Sequence, residues 1–169
     1  MPETTTPVGA LKREYHLLYI DSSFGGQTPS WFLIGKHISD LSVELNPDVS
    51  VIKNILGETV ADDNGYEPSV SVDTYYANTD DPIYEPLLDI AMNRKTGDDC
   101  KSKILEIVID NKEGPYKAWV EDCVVKPQSY GGAPSKLNIP YSITFDGNRQ
   151  QGTATLANKV PTFTAASST

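Results

Sequence analysis

The chain has 169 residues and a net charge of −9, from 23 acids against 14 bases, and 38% of it is hydrophobic. That length supports one domain with a real core. The acid excess argues against a protein that grips phosphates, which requires a basic patch, and no apolar run approaches the roughly 20 residues of a membrane-spanning helix.

In chain order, residues from about 1 to 10 are rich in Thr and Pro and read as a flexible arm, as do the last residues, about 165–169. The N-terminus lacks the basic start, apolar stretch and small-residue cleavage site of a secretory signal, so the expectation is a protein made in a cytoplasm. SWFLIG predicts a short apolar strand, and ISDLSVEL alternates as a strand does.

The segment from about 46 to 72 is interrupted by Gly57, Asp62-Asp63-Asn64-Gly65 and Pro68, and reads as an extended hairpin or long loop projecting from the sheet. Val49, Val51, Ile52, Ile55, Leu56 and Val60 are too many apolar residues for a solvated loop. They predict a surface completed by another subunit.

One helix is expected after it. Asp80 or Asp81 suits the cap and Pro82 the first turn, while Ile83, Leu87, Ile90 and Ala91 return to one face. Arg94 and Lys95 meet the negative end of the dipole, and Gly97 suits a left-handed stop. Pro86 is the misfit, because beyond the first turn it removes a donor. A carboxylate site here is disfavoured: Asp81 and Asp98 stand at opposite ends of a rod about 20 Å long.

SKILEIVID predicts a strand with Leu105, Ile107 and Ile109 on one face and Glu106 and Asp110 on the other. KAWVEDCVVK is the next strand, and the intervening NKEGPY makes the pair an antiparallel hairpin. In LNIPYSITF, the residues Leu137, Ile139, Tyr141, Ile143 and Phe145 alternate with Asn138, Ser142 and Thr144, which predicts a half-buried strand that Pro140 places at an edge or bulge. Asp146-Gly147 then reads as a turn, with Thr153 to Leu156 pairing back on that strand. These elements together predict a mainly β fold, an antiparallel sandwich or barrel with one flanking α-helix and a long protruding loop.

Chemical readings find little support. Cys100 and Cys123 form no C-x-x-C pair, Cys123 sits in an apolar strand as a buried thiol, and Cys100 reads as a surface thiol. His16 and His37 are isolated, each read as a hydrogen-bonded histidine at a strand end, and no zinc spacing exists, so neither metal nor cofactor is expected. There is no nucleophile elbow, phosphate loop or H-E-x-x-H. Ser129-Tyr130-Gly131-Gly132 has no base beside it and reads as an inter-strand turn. An acidic β-protein offers many carboxylate pairs, so none marks a glycosidase.

The run LGETVADDNGYEPSVSVDTYYANTDDPIYEPLLDIAMNRKTGDDC, then ILEIVID, AWVEDCVVKPQSYGG, IPYSITFDGNRQQGTATL and VPTFT, resembles the major tail (tail tube) proteins of long-tailed bacteriophages, in order from about Trp31 to Thr164. The resemblance implies a non-enzymatic virion protein of the tail-tube fold. Six copies would close into a ring, and rings would stack into a hollow tube through which the genome passes without specific binding. It also implies tail tip (initiator), tape measure and tail terminator proteins as partners. On that reading Val49, Val51, Ile52, Ile55 and Leu56 stack the rings, and Glu106, Asp110, Asn138, Ser142 and Thr144 line the lumen, where a surface short of positive charge lets a polyanion slide. Two alternatives stand beside it: the inner tube of a contractile tail or secretion system, and a carbohydrate-binding β-sandwich using Trp31, Trp119 and the tyrosines for stacking, although Trp119 beside Val120 reads better as core or interface.

Overall fold

The structure is a computed structural model that describes residues 10–111 and 113–166. Of the arms expected at about 1–10 and 165–169, residues 1–9 and 167–169 lie outside these, and the Ala166 N–H donates to the Gln151 carbonyl at 2.9 Å. Ala165, at the start of the second, closes the last strand.

The fold is mainly β and antiparallel, with one α-helix, of the sandwich class anticipated. Strands β1 (His16–Asp21), β2 (Trp31–Leu33), β3 (Val43–Glu44), β6 (Ser69–Val72), β7 (Lys101–Val108), β8 (Tyr116–Pro127), β9 (Tyr141–Ala157) and β10 (Val160–Ala165) form one sheet. Its order is β2-β1-β7-β8-β9-β6-β3, with β10 also paired to β9. Strands β4 (Pro47–Lys53) and β5 (Thr59–Tyr66), among the described residues, pair only with each other. The sequence reading places His16 at a strand end without giving that strand bounds; the strand it opens is His16–Asp21, a run apolar on both faces whose short length hides its period. It pairs β2 on one side and β7 on the other.

Both faces of the sheet carry a core. On one, Leu18, Ile20, Ile104, Cys123, Val125, Tyr141 and Ile143 pack with Ile83 and Leu87 of the helical segment. On the other, Tyr19, Leu105, Ile107, Tyr116, Ala118 and Ala154 pack together. This double burial explains β7, where Ile104 lies between the fully buried Leu105 and the polar Ser102 and Glu106 of its own row. Such a strand reads as a near-continuous apolar run rather than a clean alternation.

The largest departure from the sequence reading is β9. Asp146-Gly147 does not reverse the chain; β9 runs on for 17 residues. Gly147 (φ 91°) and Asn148 (φ 56°) have the positive φ of a tight turn, but the register against β8 shifts on either side of Asp122. The extra residues of β9 are therefore taken up as a bulge. The Gly147 N–H donates to Glu121 Oε2 at 3.2 Å, which holds the distortion in place. Beyond it, Thr153–Leu156 pair with β10 and, up to Ala154, with β8. The same strand begins only after Pro140 and lies inside the sheet, not at its edge. Ile139, Tyr141, Ile143 and Phe145 are buried as expected, whereas Leu137 lies before the strand and is exposed.

Helix α1 (Tyr84–Asn93) buries Leu87 and Ile90. Pro86 is its third residue, inside the first turn, where a backbone donor has no intrahelical partner to lose. No side chain caps the start; the Tyr84 N–H donates to the Asp81 carbonyl at 3.1 Å instead. The left-handed closing residue is Arg94 (φ 51°), not Gly97, which opens the short 3-10 turn Gly97–Cys100. That turn directs Cys100 inward: it is fully buried, contrary to the surface thiol expected, and Lys126 Nζ lies 3.5 Å from its sulfur. ISDLSVEL contributes only the two residues of β3, because Ile38 and Leu41 fold back on the core from a loop. His16 begins β1, and His37 lies in a loop with its ring 5.0 Å from that of Tyr76.

Candidate assembly interface

Strands β3 and β6 pair as the outermost hairpin of the sheet, and β4–β5 continues that hairpin away from it. The kink between the two parts is at Asn46, whose φ of 45° turns the chain. Its side chain secures the root: Nδ2 donates to the Glu67 carbonyl at 3.0 Å and to Ser69 Oγ at 3.3 Å. The tip is equally defined. Asn54 Oδ1 accepts the N–H groups of Leu56 and Glu58, each at 3.0 Å, and Gly57 takes φ 79° to close the loop.

What this ordered hairpin carries is apolar and uncovered. Val51 is 64% exposed, Leu56 75% and Ile55 102%, with Val49 and Ile52 each at 54%. Cross-strand partners put Val49 and Val51 on one face, opposite Asp63 and Ala61, and Ile52 on the other, opposite Val60. Both faces and the tip therefore present hydrophobic side chains. An isolated two-stranded hairpin is at best marginally stable in water. Burying one such aliphatic side chain is worth about 1.5–3 kcal/mol. All five residues expected to stack against another copy thus stand together on one protrusion.

The five residues expected to line a lumen are not brought to one face. Glu106 is a correction: it is only 7% exposed and faces the first core, where Oε2 accepts from Arg149 Nη2 at 2.6 Å. The alternation of β7 exposes no acid because both sides of the strand are covered over Ile104–Ile107, and only Lys101 and Lys103 in its first half reach solvent. Asp110 lies beyond the end of β7, paired with Lys117 at 2.9 Å. Asn138 holds a connection, its Oδ1 accepting the Tyr75 N–H at 2.8 Å. Ser142 and Thr144 do share a face of β9, opposite the buried row of Tyr141, Ile143 and Phe145, and Ser71 and Ser69 of β6 lie directly beside them.

A second cluster gave no signal in the sequence. Arg149 joins Glu106 and, through Nη1 at 3.0 Å, Glu121, while its guanidinium lies 5.8 Å from the centre of the Trp119 ring. Trp119 is half-buried under that cation, and Trp31 packs against the second core.

No protein-family model matches the chain, and no curated protein matches it in sequence. Among solved structures, the backbone is similar to that of a chain in "Cryo-EM structure of the anti-feeding prophage (AFP) baseplate, 6-fold symmetrised". The identity is 14%, over 87% of this chain and 96% of that one, with a TM-score of 0.47. At that level the likeness concerns the course of the chain alone.

Proposed function

We propose that this is a structural virion protein, a tail tube subunit that associates with copies of itself into stacked hexameric rings around a channel for DNA. The observation that carries the reading is the β4–β5 hairpin, ordered at root and tip yet exposing Ile52, Ile55 and Leu56. A folded protein that displays such a surface has a partner for it. The sequence resemblance to major tail proteins makes that partner another copy of the chain, and tip, tape measure and terminator proteins the further contacts along a tail.

The channel would be set by charge as well as symmetry. The uncharged strip of Ser69, Ser71, Ser142 and Thr144 is the lumen face on this proposal. Glu106 and Asp110 are left out of it, since each is already paired with a cation. A net charge of −9 keeps a polyanion from being held in transit. The mechanism makes and breaks no bond: hydrophobic contact stacks the subunits, and an uncharged strip that does not grip phosphate lets the cargo slide.

The test is the double substitution Ile52→Asp with Ile55→Asp. The variant should retain the circular dichroism of the parent and form no rings or tubes by negative-stain electron microscopy, under conditions in which the parent polymerises. Normal tubes from the variant would overturn the role of the hairpin.

A further inference from the structure

The structure also offers a receptor for the hairpin. A cleft of about 810 Å³ opens where β1, β2 and the segment after β2 meet. Its walls include Leu17, Phe32, Leu33, Ile34, Ile38 and Leu41. Of these only Ile34 is buried; the others keep part of their surface in solvent. One wall is β2, an edge strand of three residues whose outer side has no neighbour in the sheet among the described residues. Unpaired edges of this kind are where a further strand or loop is accommodated.

We infer that this cleft receives the β4–β5 hairpin tip of a second copy of the chain, Ile55 and Leu56 entering among Phe32, Ile38 and Leu41, which share one face of the sheet. The inference rests on the self-assembly proposed above and names the surface that completes it.

Three observations converge. First, the pair is complementary in shape and polarity: the hairpin tip is convex and apolar, and the cleft is concave and largely apolar. Second, the charges agree. The hairpin carries Asp48, Glu58, Asp62 and Asp63 against the single base Lys53. The cleft balances Arg13, Lys36 and Lys159 against Glu14, Asp40 and Asp81, with Asp81 already accepting from the Tyr75 hydroxyl at 3.1 Å. A neutral site with exposed lysines repels an acidic hairpin less than the average surface of a chain of net charge −9 does. Third, hairpin and cleft are different patches of one chain. A contact between them can be made head-to-tail, and a series of such contacts propagates into rings or filaments, as the self-assembly proposed above requires.

Polymers are prepared from protein carrying a benzophenone amino acid in place of Leu56, irradiated, and the cross-linked peptides are mapped by mass spectrometry. In parallel, Lys36→Glu with Lys159→Glu changes two exposed side chains, and circular dichroism checks that the variant is folded. The expected results are cross-links from position 56 to peptides containing residues 13–17 or 32–41 of another copy, and a critical concentration for polymerisation raised at least tenfold by the double charge reversal. Cross-links that fall elsewhere in the polymer, or a charge-reversed variant that polymerises like the parent, overturn the cleft as receptor. If the Ile52→Asp, Ile55→Asp protein still fails to polymerise in that case, self-assembly through the hairpin survives and only its receptor is wrong. If the parent forms no polymer even with a tail initiator complex, both proposals fall.

Discussion

Arg149 on β9 reaches over the intervening strand β8 to Glu106 on β7, with Nη2 2.6 Å from Oε2. Its other nitrogen holds Glu121 of β8 at 3.0 Å, so one guanidinium joins three strands. Both carboxylates are buried, while the Arg149 side chain keeps 39% of its exposure. The far oxygen of Glu121 also accepts the Gly147 N–H at the bulge.

Replacing Arg149 by Met keeps much of the side-chain volume and removes the cation, leaving two carboxylates in a confined space. Breaking a buried pair costs about 3–5 kcal/mol, and partial exposure of the arginine places this case lower, at about 2 kcal/mol. Urea denaturation of Arg149→Met against the parent at pH 7 measures it. A difference below about 0.5 kcal/mol would mean that water solvates the two acids as well as the arginine does.

That cluster also marks the limit of what the sequence discloses. Glu106 and Arg149 are 43 residues apart, and nothing in the local alternation of SKILEIVID distinguishes an acid facing solvent from one met by a distant arginine. The bulge at Gly147 has the same character: Asp-Gly is a turn signal, and only the presence of β8 alongside turns its positive φ into an irregularity within one strand. Cys100 looked exposed because GDDCKSK is polar, whereas a 3-10 turn sets that one side chain inward. The hairpin was legible because its evidence is local. Turn residues bound it at both ends, and its apolar residues cannot all be satisfied within a segment that short. The cleft was illegible, since its walls come from segments dispersed between Arg13 and Lys159.

Gly152 is fixed by crowding. A methyl group there would fall onto the Thr164 carbonyl oxygen and 2.8 Å from the Phe163 ring, both on β10, which pairs with β9 at this point. Because backbone cannot yield as a flexible side chain does, Gly152→Ala should separate β10 from β9 and cost about 1–3 kcal/mol. Thermal unfolding gives the total. Faster amide exchange confined to residues 160–165 would identify the strand that is displaced.

His16, at the start of β1, is partly buried. Burial lowers its pKa from the ordinary 6.5, with Arg13 adding to the effect and Glu106 opposing it. The folded protein therefore binds this proton less readily than the unfolded chain, and its contribution to stability falls as pH drops below about 6.5. Chemical denaturation at pH 7 and pH 5.5 should show a smaller loss for His16→Gln than for the parent. Equal losses in the two proteins would assign the acid sensitivity to other groups.

The hairpin tip separates stability from assembly. Ile55, at 102% exposure, loses no intramolecular burial when truncated and Leu56, at 75%, loses little, and the tip hydrogen bonds to Asn54 are made by backbone N–H groups that substitution preserves. Ile55→Ser with Leu56→Ser should therefore leave the unfolding free energy of the monomer within about 0.5 kcal/mol of the parent, as for other surface changes. Burial against a neighbour is a different matter, because each side chain then contributes on the order of 2 kcal/mol to every contact. Sedimentation velocity across a concentration series should show monomer persisting in the variant at concentrations where the parent has become polymer. A destabilised monomer would instead mean that the tip packs within its own chain, and an unchanged polymer that the apolar hairpin is not what joins one copy to the next.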